Sequence, residues 1–391
     1  VGQTYKARGT EVITNGGERV KDNSDFSRRR FLEGLLIGTA GLAFGSKLQA
    51  AEILAQNQGR KLGIALLGLG RYATGELGPA LRQTKLVELR GVITGHPEKG
   101  EKWAADYSLD KKNIYSYETM DRIADNKDID IIYVVTPPGL HAEYAIRAAK
   151  LGKHVISEKP MSTSVAVCDQ MIEACKAAKR ELSIGYRLHF DPYHLELARL
   201  AKTQELGRFM KMNGRFAYVM GQKEHRTDKK LGGGGPLMDL GIYIVHGACM
   251  ATENPPLYVT AKEAEKKKPD LFSEVEEGIS FTMEFPKGEK MDAYTSFNDN
   301  GNTFHLDGEK GWMDFPGQAF SYRGITCNTS RGALNYPPVS QQARQMDDFA
   351  DCILTGRKTG VPGELGRRDI QILMAIYEAA RTGQRVKVNT A

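Results

Sequence analysis

The sequence predicts an α/β protein of two unlike domains, a doubly wound parallel sheet followed by an α+β domain on a large, open, mainly antiparallel sheet. Three observations predict this. From Lys61 onward, apolar runs without polar alternation take turns with helical stretches across short joints, the mark of a parallel sheet covered on both faces. After about Tyr186 these give way to long segments of alternating polarity with little helix between them, which suits strands with one buried face. The roughly 340 residues that follow an N-terminal leader exceed what one core usually organises.

The elements follow in order. KLGIALLGLGRYATGELGPALRQ reads as a buried strand, a glycine turn and a helix; VELRGVITG is a second strand and EKWAADYSL a helix. IDIIYVVTPP, KHVISEKP and ELSIGYRL are further strands, separated by the helices LHAEYAIRAAKLG and SVAVCDQMIEACKAAKR. Beyond them, RFMKMNGRFAYV, EEGISFTMEF, KMDAYTSF and NTFHLDGEKGWMDF alternate as half-buried strands do, with helices near 237–250 and 369–381. The resulting division is 1–50 leader, 51–60 arm, 61–185 first domain and 186–391 second domain. An open sheet with one uncovered face is a natural self-association surface, so a homodimer or homotetramer through the second domain is expected.

The leader carries SRRRFL at Ser27–Leu32, then LLIGTAGLAF, then Lys47 and a small-residue site ending at Ala50. The apolar run is about ten residues, too short to span a bilayer. Basic, apolar and small-residue zones in this order read as a twin-arginine export signal cut near Ala50, which places the mature protein in the periplasm. No later run has the length of a membrane helix, so the mature form is expected to be soluble. The formal charge of +6 is spread along the chain, half of it in the leader, and does not argue for nucleic acid. Five cysteines without a CxxC spacing predict neither a disulfide framework nor a metal-cysteine site. His189, His194, His225 and His246 match no helical ligand spacing, and no metal is expected.

Gly68-Leu69-Gly70-Arg71-Tyr72-Ala73 has the spacing GxGxxA between a strand and a helix at the start of a doubly wound domain, the context of a Rossmann dinucleotide loop. Gly68 allows the tight turn, Gly70 lets backbone N–H groups approach a pyrophosphate, and Ala73 keeps helix and strand close. The second strand ends in Thr94-Gly95-His96 rather than in the acid that holds an NAD ribose. With Arg71 and Lys99 nearby, NADP is favoured, NAD remaining possible. KHVISEKP ends in Glu158-Lys159-Pro160 at the carboxyl edge of the sheet, where ligands bind. In GGGGPLMDLGIYIVH, Pro236 suits a first helical turn and places Asp239 and Tyr243 on one helix face. A carboxylate, a phenol and a nearby ammonium are what proton transfer to a sugar hydroxyl requires.

Taken together, GLGRYA, TGHPEKGEKWAADY, IYSYETM, TPPGLHAEYAIRAAKLGKHVISEKPM, IGYRLHFDP, GGGPLMDLGIY and PGELGRRDIQILMAIYEAARTGQRV resemble, in order, the glucose-fructose oxidoreductase and inositol dehydrogenase (Gfo/Idh/MocA) family, and more closely its glucose-fructose oxidoreductase branch. The resemblance implies NADP on the first domain and a substrate cleft between domains. It assigns Lys159 as substrate-orienting lysine, Tyr243 as general acid/base and Asp239 as its neighbour, with Arg226 also in the substrate site. Thr94 and Lys99 match the branch's 2′-phosphate contacts, and Tyr117, Thr136, Pro137, Leu140, His141, Glu158 and Arg187 match positions lining the cofactor. The chain departs where the branch has tryptophan before arginine, here His225 before Arg226, and in its short arm.

Twin-arginine export moves folded proteins, so a dinucleotide can be loaded inside the cell and travel with the chain. With no soluble pool to reoxidise it outside, such an enzyme is expected to oxidise one sugar and reduce another on the same nucleotide. The alternatives are a redox-neutral glycosidase using bound NAD transiently, an ordinary sugar or polyol dehydrogenase, or a sugar-binding protein holding the dinucleotide as structure.

Overall fold

The computed structural model describes residues 59–389. The expected leader, and all but the last two residues of the expected arm, lie outside the described residues. The first sheet has six parallel strands: β1 (Leu62–Leu67), β2 (Val87–Ile93), β3 (Ile114–Tyr115), β4 (Ile131–Val134), β5 (His154–Ser157) and β6 (Leu182–Ile184). Their order is β3-β2-β1-β4-β5-β6, two half-sheets running outward from a shared centre. Every residue of β1 is buried, as a central strand covered on both faces requires. β1 and β4 run parallel, but the order in which strands are added reverses between them, and there the loops splay apart to leave a crevice at the strands' carboxyl ends.

The connecting helices carry the expected signals. After β1 the chain makes a π turn, Ala73–Leu77, that continues as an α turn over Gly78–Leu81; together these form α1. Pro97 opens α2 (Pro97–Tyr107) and Pro138 opens α3 (Pro138–Lys150), where the missing N–H costs nothing. α4 (Val165–Ala177) turns Cys168, Met171 and Cys175 inward at helical spacing.

The second sheet has nine strands. They are β7 (Phe209–Ala217), β8 (Tyr258–Glu263), β9 (Gly278–Glu284), β10 (Lys290–Ser296), β11 (Gly301–Gly308), β12 (Gly311–Phe315), β13 (Cys327–Thr329), β14 (Gly332–Leu334) and β15 (Val386–Lys387). The order is β14-β13-β12-β11-β7-β10-β9-β8-β15, antiparallel except for the pair β7 and β10. Alternation sorts the two faces: on β10, Met291, Ala293 and Thr295 are buried while Lys290 and Asp292 are exposed. The uncovered face is polar, with Arg215 lying over the Tyr294 ring and Thr282 donating to Asp292.

Among the described residues the chain from 186 onward holds four helices longer than two turns, two more than the sequence reading assigns. α5 (Pro192–Thr203) is capped by Asp191, which accepts from the backbone of Tyr193 and His194. α6 begins as a π turn over Leu237–Gly241 and runs on as Ile242–Thr252, buried on nearly every side. α7 (Gln341–Thr355) starts under a Ser340 cap, and α8 (Gly363–Thr382) is the longest. α7 does not stay with its own half of the sequence. Its Ala343, Met346, Phe349 and Ala350 pack into the core formed by Ile64, Leu66, Val87, Val92 and Ile131 of the first sheet. Sequence division at residue 185 therefore does not divide the cores. All five cysteines are buried free thiols. Among the described residues no helix is long and apolar enough to cross a membrane, and no group of metal-ligating side chains converges.

Candidate active site

A cleft of about 1100 Å³ opens between the carboxyl edge of the first sheet and α6. One wall is the glycine loop. Gly68 has φ of +100°, and a Cβ there would stand 2.9 Å from the Val135 carbonyl, so the β1 and β4 loops pass too closely for any other residue. Gly70 by contrast faces open space, leaving its backbone bare to a ligand. Leu69, Arg71, Tyr72, Thr94, Lys99, Tyr117, Thr136, Pro137, Leu140 and His141 line the same wall. Gly95 does not line the cleft but permits it, since a Cβ there would press on the Tyr117 ring at 3.1 Å. His141 braces the wall, its ring nitrogens 2.8 Å from the Thr136 carbonyl and 3.0 Å from that of Pro160. Thr94 turns its hydroxyl to the His96 N–H, and Glu98, the first acid after β2, lies 3.4 Å from His96 Nδ1 and does not line the cleft.

Lys159, Asp239 and Tyr243 meet on the opposite wall. Lys159 leaves the carboxyl end of β5 and donates to the Asp239 carbonyl at 2.8 Å, its Nζ lying 3.4 Å from Asp239 Oδ1 and 4.3 Å from the Tyr243 ring centre. Arg226 Nε donates to Asp239 Oδ2 at 2.8 Å. Burial opposes ionisation of Asp239, but Arg226 and then Lys159 outweigh it and hold the carboxyl at about 2. The expected shared face of Asp239 and Tyr243 is present with a difference: Asp239 lies in the π turn and Tyr243 in the α-helix that follows. Two of the helices that border the cleft, α1 and α6, begin with a π turn, a wider winding common at functional sites.

Buried polar groups fix these side chains from behind. Glu158 accepts from Tyr133 Oη at 2.6 Å, and Tyr133 in turn accepts from Gln345 of α7 at 2.7 Å. Burial raises the Glu158 carboxyl, against the Tyr133 hydrogen bond and Lys159. A Cβ on Gly185 would sit 2.7 Å from that carboxyl, so the glycine is its seat. Arg187, buried, donates to Ser321 O at 2.9 Å, to Gln341 Oε1 at 2.6 Å and to Phe320 O, and lies 5.0 Å from the Tyr243 ring centre and 4.1 Å from that of Tyr322.

The structure thus brings together every residue that sequence reading assigns to the site, Gly95 excepted, and adds others. Gln318, Phe320, Ser321, Tyr322 and Arg323, between β12 and β13, cover the cleft from the second domain. Tyr322 packs on Tyr72, and Arg323 pairs with Glu76 of α1 at 2.8 Å. This turn-rich segment has no periodicity or motif to mark it. Glu224 was also unmarked. His225 lines the cleft beside Arg226, and burial, then Arg226, depress its basicity.

Comparison with known proteins accords with this arrangement. Residues 62–186 match the oxidoreductase family with an NAD-binding Rossmann fold, and residues 194–314 match the GFO/IDH/MocA C-terminal domain. An aldose-aldose oxidoreductase from Caulobacter crescentus, solved with glycerol, superposes with a TM-score of 0.82 at 39% identity over 84% of this chain and all of its own. An NADP-dependent D-xylose 1-dehydrogenase of Haloarcula marismortui is 26% identical over 83% of this chain and 92% of its own. A levoglucosan dehydrogenase, at 19% identity and a TM-score of 0.72, shares the fold. On these matches and this cleft, the chain belongs to the GFO/IDH/MocA family of oxidoreductases.

Proposed function

We propose that this protein is an NADP(H)-dependent sugar oxidoreductase that oxidises an aldose and passes the hydride to a second carbonyl sugar on a nucleotide it retains. The observation that carries the reading is the meeting of Lys159, Asp239 and Tyr243 opposite an open glycine loop. The cleft fits a dinucleotide. Gly70 leaves its backbone exposed, while Thr136 Oγ1 and Arg187 Nε are buried without a partner among the described residues, ready to be satisfied by a polar ligand. The absence of an acid at the end of β2, with Lys99 facing the cleft, supports NADP over NAD. The aldose-aldose and xylose specificities of the two relatives support a sugar substrate.

Bound nicotinamide would supply the hydride acceptor and donor. The chain's own part is positioning and proton transfer. Lys159 holds the reacting oxygen and steadies negative charge on it. Tyr243, acting as phenolate, takes the hydroxyl proton in the oxidative half and, as the phenol so formed, returns it in the reductive half. Asp239 and Arg226 bind neighbouring hydroxyls, and the Tyr322 segment keeps water from the reacting face. Export by the twin-arginine route, a periplasmic location and self-association through the open sheet complete the proposal; the leader sequence supports the first two and the uncovered sheet face the third.

The 26% relative favours a second reading, an aldose dehydrogenase served by diffusible NADP. One experiment separates the two. Purified protein is denatured and any released nucleotide identified, then the intact protein is mixed with an aldose while reduced-nicotinamide absorbance is followed. A single turnover on endogenous nucleotide, reversed by a second sugar, supports retention. Protein empty of nucleotide that turns over freely with added NADP refutes it.

A further inference from the structure

A row of alternating charges runs along the cleft from the glycine loop to Lys159. Arg71 pairs with Glu224, Glu224 Oε2 lies 3.4 Å from Arg226 Nη1, Arg226 Nε lies 2.8 Å from Asp239 Oδ2, and Asp239 Oδ1 lies 3.4 Å from Lys159 Nζ. Both arginines use the same oxygen of Glu224. They differ in freedom: the Arg71 side chain is 77% exposed, Arg226 30% and Glu224 17%. Glu224 is further fixed as the cap of the turn His225–Thr227, exchanging hydrogen bonds with Thr227. One exposed cation and one largely buried cation thus share a single fixed anion, and the exposed one stands on the loop where dinucleotide phosphates bind.

We propose that Glu224 is a positioning residue that couples the dinucleotide site to the sugar site, through competition between Arg71 and Arg226 for its Oε2. The inference rests on the functional reading above. When a dinucleotide phosphate offers Arg71 a stronger anion, Arg71 leaves Glu224. Glu224 then has Arg226 as its remaining cation and draws the guanidinium toward itself and away from Asp239. Asp239 Oδ2 is thereby opened to a sugar hydroxyl beside Lys159. The nucleotide favours sugar binding, and by reciprocity the sugar must slow nucleotide release.

The test uses intact protein loaded with NADPH or, in a parallel arm, NADH. Release is followed by loss of bound reduced-nicotinamide fluorescence on mixing with excess oxidised nucleotide, with and without D-glucitol, a polyol that a reduced nucleotide cannot oxidise. In the unaltered protein glucitol is expected to slow release about fivefold or more, a typical coupling between sites. Glu224→Gln keeps the capping oxygen but not the charge, and should bring the ratio of the two rates close to one. Arg71→Gln, at an exposed position that leaves the fold alone, should do the same. Coupling with both nucleotides places the Arg71 target at the pyrophosphate, whereas coupling with NADPH alone places it at the 2′-phosphate; either supports the proposal. A ratio of one in the unaltered protein, or the full ratio in both variants, overturns it while nucleotide and polyol binding stand. Protein that binds no nucleotide overturns the functional reading along with it.

Discussion

Replacing Asp239 by asparagine tests whether the charge cluster in the cleft is built as described. The substitution is isosteric and removes one negative charge held between Arg226 at 2.8 Å and Lys159 at 3.4 Å. In the folded protein the carboxyl is drawn from 3.8 to about 2. The unfolded chain therefore binds the proton more readily than the folded one, and ionised Asp239 contributes about 2 kcal/mol of stability at neutral pH. That contribution is complete above the unfolded value, falls through the window between about 4 and 2, and is roughly half gone at pH 3. Urea titrations of both proteins, followed by fluorescence of the buried Trp103, should show Asp239→Asn less stable by about 2 kcal/mol at pH 7 and by about 1 kcal/mol at pH 3. A difference that does not shrink between pH 5 and pH 3, or that is negligible at pH 7, would refute the claim that Arg226 and Lys159 hold this carboxylate.

Other outcomes follow from the same geometry. Tyr243→Phe should retain nucleotide yet lose about 10²- to 10⁴-fold in sugar-dependent nicotinamide reduction, measured in single turnovers; an unchanged rate would remove Tyr243 from proton transfer. Gly70→Val places its side chain in open space, so its melting temperature should match the parent while nucleotide binding, measured by reduced-nicotinamide fluorescence, is lost. Arg323→Ala deletes the exposed ion pair to Glu76 that ties the covering segment to α1, and should speed nucleotide release several-fold with little change in melting temperature. Burial pushes all five thiols up, each to about 12, so an aromatic disulfide reagent should titrate none at pH 8 in the native protein and five in urea.

The site's core chemistry was legible because each piece is local. Strand, glycine turn and helix occupy one continuous stretch from Leu62 to Leu81, and the need for Gly68 and Gly70 is stated by that stretch alone. Lys159 is marked by its place after an apolar strand, and Asp239 with Tyr243 by helical spacing behind Pro236. The helices α5 and α7 had local signals too, an Asp191 or Ser340 cap before helically spaced apolar residues, but they sit in a region where strand alternation dominates.

What the chain could not disclose residue by residue is how distant segments are brought together. Gln345 reaches Tyr133 across 212 positions, Gln341 reaches Arg187 across 154, and Arg323 reaches Glu76 across 247. None of these partners sits in a pattern that names the other. The sequence by itself determined two sheets, a dinucleotide loop and a set of proton-handling side chains, because backbone preference and hydrophobic period act over a few neighbouring residues. Only the tertiary structure decided that α7 completes the first core, that the Tyr322 segment covers the cleft, and that Glu224 stands between two arginines. Those arrangements depend on which buried faces and charges find one another when the whole chain packs, and packing is a property of the assembled surfaces rather than of any one stretch.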